Sequence, residues 1–209
     1  LPGLAQGGVD EWTTTGPRSG WPFAMADPAV ATRIFVGRQD AQMLYRSPDG
    51  GGTFVKVLAL APYPIAQYPY QQSIRPTSLA FDPVHHDEVW LGASDGSVRR
   101  STDGGREWAD VRMGGAFGAS WSRLLVAPGG AGDVYGVSGG NFQRKRAADA
   151  DFVPGPAAFD MAVRPDRVGE LLIVASTGFS RSTDGGSTWS PVAGSPVFPC
   201  GAVVVSSPV

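Results

Sequence analysis

Apolar positions along this chain gather in short runs that stop at proline. The runs at 23–26, 78–81, 123–126, 159–163 and 202–205 are followed within two residues by Asp27-Pro28, Asp82-Pro83, Ala127-Pro128, Arg164-Pro165 and Ser207-Pro208. Proline lacks the N–H that a ladder needs, so each one marks the end of a strand. A second apolar run follows each of the first four, at 33–37, 88–92, 133–137 and 171–175. A Gly- or Asp-containing turn comes next, then a third short run, then a fourth. No stretch of a dozen residues keeps apolar positions at i, i+3, i+4 and i+7, so helical periodicity is absent. Strands this short, separated by turn chemistry, predict an all-β fold.

The third and fourth runs of a unit are joined by recurring text. Ser47-Pro48-Asp49-Gly50-Gly51-Gly52-Thr53-Phe54, Ser101-Thr102-Asp103-Gly104-Gly105-Arg106-Glu107-Trp108 and Ser182-Thr183-Asp184-Gly185-Gly186-Ser187-Thr188-Trp189 follow one plan. Ser and Asp side chains bond nearby backbone N–H groups and hold a tight turn. Gly51, Gly105 and Gly186 accept positive φ, where a Cβ would clash. Phe54, Trp108 and Trp189 are large apolar anchors expected to bury beneath the hairpin. Ser47, Asp49, Ser101, Asp103, Ser182 and Asp184 therefore read as turn formers, not as metal ligands or catalytic acids.

Four strands per unit, at a period of roughly 37 to 55 residues, is the repeat of a propeller blade. The spacing predicts four complete antiparallel blades at 16–60, 73–112, 120–155 and 157–193. Parts of a split or truncated further blade are expected at 1–15 and 197–209. Two arrangements fit: a segment of a longer propeller, or a ring that closes on an incomplete fifth blade. The first is favoured, because an unbroken ring protects strand edges, and an additional propeller segment or chain would then close it. The third unit lacks the turn motif and carries Arg144, Lys145 and Arg146 with Phe152 at the anchor position. These cations read as a solvated hairpin tip or an anion contact.

The recurring turn resembles the Asp-box, or BNR repeat, of sialidases, xyloglucanases, sortilin-type receptors and photosystem II assembly factors. The resemblance implies a β-propeller in which the box is structural and joins the third and fourth strands of a blade. In sialidase and xyloglucanase relatives the ligand side is the one opposite the boxes. It also implies an extracytoplasmic or secreted location, since relatives are often exported. Sialidase relatives bring three arginines onto the substrate carboxylate, and no such triad can be matched here.

Composition narrows the partners. A net charge of −2 with 17% charged residues argues against nucleic acid, which needs a concentrated basic surface. No apolar run reaches about 18 residues, so no membrane-spanning helix is predicted. Cys200 is single and sits beside an apolar run, as a small buried hydrophobe would. His85-His86-Asp87-Glu88 resembles a metal cluster, but neighbouring residues of a strand point apart and no third His exists. Neither a metal nor a cofactor is expected.

Candidate binding residues fall on the face opposite the turns. The connector at 61–72 carries Tyr63, Tyr68 and Tyr70 among prolines, and tyrosine offers a flat apolar body with a polar tip. The connector at 113–121 adds Phe117 and Trp121, and Arg38 stands in a neighbouring loop. Such a face suits a glycan or protein partner, or covers the end of the core. Asp40 and Asp95 are the candidate carboxylates for glycoside hydrolysis, which needs a paired acid or a Tyr nucleophile. Asp160 interrupts the run at 159–163, pointing to the central channel or to a buried partner. The sequence thus supports a non-catalytic binding or scaffold module, with a glycoside hydrolase of the sialidase or xyloglucanase type as the alternative.

Overall fold

The computed structural model describes residues 22–38, 42–60, 74–113, 120–129 and 131–194. Strands are their regular structure; no helix occurs among the described residues. The first unit consists of β1 (Pro22–Ala26), β2 (Ile34–Arg38), β3 (Met43–Ser47) and β4 (Val55–Ala59). The second consists of β5 (Pro76–Phe81), β6 (Val89–Ala93), β7 (Val98–Ser101) and β8 (Ala109–Arg112). The third holds β9 (Trp121–Val126), β10 (Val134–Ser138), β11 (Asn141–Lys145) and β12 (Val153–Ala157). The fourth holds β13 (Asp160–Val163), β14 (Leu171–Ala175), β15 (Gly178–Ser182) and β16 (Ser190–Pro191).

Each unit is one four-stranded antiparallel sheet in simple sequence order. Register between the first two strands is regular in the first and fourth sheets, with Met25 opposite Phe35 and Met161 opposite Ile173, and shifts once in the second and third, at Pro76/Ser78 and Val137/Ser138. A register shift recurs between the third and fourth strands, at Leu44/Tyr45, Val98/Arg99 and Asn141/Gln143. Shifts of this kind add twist, which lets a blade splay outward from the axis. The fourth strands begin one residue after the predicted aromatic; Trp108, Phe152 and Trp189 pack against the cores, and Phe54 is half-buried.

Successive sheets pack face to face, and each pair encloses a core. Phe35 and Leu44 meet Leu79, Val89 and Leu91 between the first and second sheets. Trp90 and Val98 meet Trp121, Leu124 and Phe152 between the second and third. Tyr135, Val137 and Phe142 meet Met161, Leu171 and Ile173 between the third and fourth. All five residues of β6 and of β10 are buried, since these strands are covered on both faces. Along β6, Val89 and Leu91 face one core and Trp90 faces the other, as the period of two requires. These four sheets are blades of a β-propeller. The split unit expected at 1–15 and 197–209 lies outside the described residues.

Candidate functional site

The first strand of every sheet lines the axis, and side chains stitch neighbouring strands there. Ser78 Oγ of β5 accepts from the Leu124 N–H of β9 at 2.9 Å. Arg123 Nη1 of β9 donates to both carboxylate oxygens of Asp160 on β13, at 3.0 and 3.2 Å. Asp160 is nearly buried and also accepts the Met161 N–H, so its charge is satisfied where it lies. The sequence left two roles for Asp160, and the structure pairs it, nearly buried itself, with a partly exposed Arg123.

These strands enclose a cavity of about 700 Å³. Its wall is formed by Met25 and Ala26 of β1, Leu79 to Phe81 of β5, Leu124 to Val126 of β9 and Val163 of β13. Pro28, Pro83, Pro128 and Pro165 rim one end at equivalent places in the four units. The strand-ending prolines of the sequence therefore lie along one apolar edge of the cavity. Arg123 is the charged side chain among the described residues that line the cavity.

The prolines belong to loops between first and second strands, and those loops share an end with the Ser-x-Asp turns. In three units the turn is bonded to the loop directly: Gly50 N–H to Thr32 O, Gly104 N–H to Asp87 O and Gly185 N–H to Gly169 O, at 2.8 to 3.0 Å. Asp27 and Asp82 tighten the loops from within, each accepting two N–H groups on one oxygen. In the first unit Asp27 also pairs with buried Arg33, which reaches the next unit at His86 O and Asp87.

The turns repeat one hydrogen-bond set. Ser47, Ser101 and Ser182 donate from Oγ to Asp49, Asp103 and Asp184 at 2.7 to 2.8 Å. The same Oγ atoms accept the N–H of Gly51, Gly105 and Gly186 at 2.8 to 2.9 Å. The carboxylates then accept the N–H groups of Thr53, Glu107 and Thr188. Donation by the Thr53 hydroxyl, Thr53 N–H and Ser47 holds Asp49 down to about 2, and donation by the Thr188 hydroxyl and N–H and by Ser182 holds Asp184 well below the usual carboxylate range. Carboxylates saturated by their own turn are poor general acids. Trp108 and Trp189 pack edge-on against Phe35 and Phe142 of the preceding unit.

Of the residues singled out from sequence as ligand-binding or catalytic, Arg38, Asp95 and Trp121 fall among the described ones. Tyr63, Tyr68, Tyr70, Phe117 and Asp40 lie outside the described residues, as do the loops 39–41, 61–73 and 114–119 that the opposite end would need. Arg38 closes β2, with its backbone paired to Pro22 and Met43. Asp95 caps its own turn, accepting Ser97 N–H and Oγ at 3.0 and 2.7 Å. Trp121 corrects the expectation of a surface ligand contact: it opens β9 and is 0% exposed. Its indole N–H donates to Gly96 O at 3.0 Å, and its ring lies against Gly92 and Gly136, where any Cβ would clash. Interior glycines on β6 and β10 were the available signal that a large side chain packs there.

His85 leans on Asp82, Asp87 pairs with Arg33, and Glu88 accepts from Trp90 and Arg100. No group of three or more His, Cys, Asp or Glu among the described residues is placed to hold a metal ion. No described helix is long and apolar enough to cross a membrane. Sequence reasoning missed a recurring arginine on the third strand, at Arg46, Arg100, Arg144 and Arg181. Its register partners on the second strand are Phe35, Trp90, Tyr135 and Leu172. The signal was the Arg that precedes Ser in Arg46-Ser47, Arg100-Ser101 and Arg181-Ser182.

Blades around an apolar axial cavity define the class, a β-propeller array. No family model and no curated protein sequence matches the chain. Solved structures do. An ancestral GH74 enzyme aligns over 90% of this chain and 26% of its own, at TM-score 0.65 and 16% identity. The GH74 xyloglucanase from Xanthomonas campestris aligns over 81% of this chain and 29% of its own, at TM-score 0.57 and 25% identity. YCF48 bound to D1 peptide aligns over 91% of this chain and 60% of its own, at TM-score 0.51 and 18% identity. The chain thus spans about a quarter of the GH74 structures and 60% of YCF48.

Proposed function

We propose that the chain is a propeller segment with Asp-box turns that binds a peptide or protein partner, without catalysis, in its axial cavity. The observation that carries this reading is the chemistry of the wall. It is mainly apolar, with Thr77, Ser78 and Ser122 as its neutral polar residues, and its guanidinium, Arg123, is already held by Asp160. Apolar concavities with few polar groups suit side chains of a partner. That YCF48 is seen with a bound peptide supports the choice of partner. A second reading, a segment of a xyloglucan-degrading hydrolase, is favoured by the likeness to GH74 enzymes.

Panning a displayed peptide library on the whole chain tests the proposal. Selected peptides should be rich in apolar residues. Met25 is exposed at the cavity, so Met25→Glu keeps the fold and should weaken their binding more than tenfold. Undiminished binding by Met25→Glu refutes the cavity as the site. Release of reducing sugar from xyloglucan by the whole chain would move the conclusion to the second reading.

A further inference from the structure

The hairpin between β11 and β12 lost the Ser, Asp and Gly of the other turns, and its cations go elsewhere. Arg144 and Arg146 both cross the seam to the fourth sheet and meet at one atom. Arg144 Nη1 donates to Ser187 Oγ at 2.8 Å, and Arg146 Nη2 donates to the same oxygen at 2.6 Å. Ser187 Oγ gives its own proton to Asp184 O at 3.1 Å. One hydroxyl thus has its single donor and both lone pairs engaged.

The charge is not balanced as the hydrogen bonds are. Among the described residues neither guanidinium has a carboxylate within 4.0 Å. The equivalent Arg100 and Arg181 do, pairing with Glu88 and Glu170. The carboxylate of Asp184 is directed into its own turn by Ser182, Ser187 N–H and Thr188. Lys145 is taken by Asp149 O. Two like charges therefore converge on a neutral acceptor at an exposed seam, and Arg144 Nε has no partner at all.

We propose that Arg144, Arg146 and Ser187 form a binding site for a phosphate-type oxyanion, either free or carried as a phosphate monoester on a partner. Guanidinium forks match phosphate oxygens in pairs, and a near-dianion offsets both charges where the Ser hydroxyl offsets neither. Donors on β11 and on the hairpin that follows it, with the facing Ser187 turn beside them, suit a tetrahedral group better than a flat one. The site lies on the outer seam between two blades and does not depend on the reading of the axial cavity.

The whole chain is titrated with inorganic phosphate at constant ionic strength, with chloride as reference, and heat and arginine side-chain NMR signals are followed. Saturable phosphate binding is expected, weakened at least tenfold in Arg146→Gln, whose side chain is exposed and whose loss spares the core. Arg144→Lys with Arg146→Lys keeps the charge and removes the forks, and should weaken binding nearly as much. A phosphoserine peptide is compared with its glutamate counterpart. Phosphoserine bound more tightly than free phosphate assigns the monoester source; equal affinity assigns the free anion. Phosphate no tighter than chloride, glutamate equal to phosphoserine, or full binding by Arg146→Gln each overturns the proposal.

Discussion

Gly50 and Gly105 both sit at positive φ, 74° and 83°, but only one has neighbours. A Cβ on Gly50 meets nothing within 4 Å, whereas one on Gly105 falls 2.4 Å from the Phe35 ring. Gly50→Ala should cost about 1–2 kcal/mol from the left-handed backbone alone. Gly105→Ala adds overpacking of roughly 1–3 kcal/mol and disturbs the seam between two sheets. Chemical denaturation of both variants checks the ranking. The turn carboxylates give a pH signature. Asp49 titrates near 2 when folded against an ordinary value of 3.8, and Asp184 is shifted the same way. A depressed folded value means stabilisation that is complete above about pH 4 and is lost as pH falls toward 2. Melting temperature should therefore fall from pH 5 to pH 2, and fall less in Asp49→Asn/Asp184→Asn, which starts lower.

Strands differ in how much covers them. β6 and β10 are buried on both faces, while β4, β8 and β12 are largely exposed and β16 pairs through only Ser180–Pro191 and Arg181–Ser190. Amide exchange should be slowest in β6 and β10 and faster at Ser190, the one amide of β16 since Pro191 has none, a ranking read by hydrogen–deuterium exchange. At this scale the sequence was most informative. Proline stops and Ser-x-Asp turns are local chemistry, so they marked the ends of four first strands and three of the hairpins before any packing was known. Trp121 was misread because its burial depends on Gly92 and Gly136, one of them on another blade, and no local rule reports that. The convergence of Arg144 and Arg146 on Ser187 was hidden for the same reason: its two sides are some forty residues apart in the chain.

Across the molecule, blades are joined by cores on the inside and by single polar stitches at the axis. The Arg123–Asp160 pair ties the third inner strand to the fourth, with Asp160 nearly buried and Arg123 about one-third exposed. A double-mutant cycle with Arg123→Gln and Asp160→Asn should return a coupling of about 1 kcal/mol, within the range for contacting partly buried groups. Zero coupling in denaturant melts would remove the stitch from the account. A central channel followed from the propeller reading, but its lining could not be read in advance, since it forms only once four proline-ended strands from distant segments stand side by side.

The arginine before each turn has a consequence for anyone rearranging this molecule. Arg46 and Arg144 reach forward to the following unit, at Gly104 O and Ser187, while Arg100 and Arg181 fold back on Glu88 and Glu170 of their own. The modules therefore do not commute. Duplicating the second one in a lengthened gene would add a copy with no arm extended to its successor, whereas duplicating the third and fourth together would carry the handshake along.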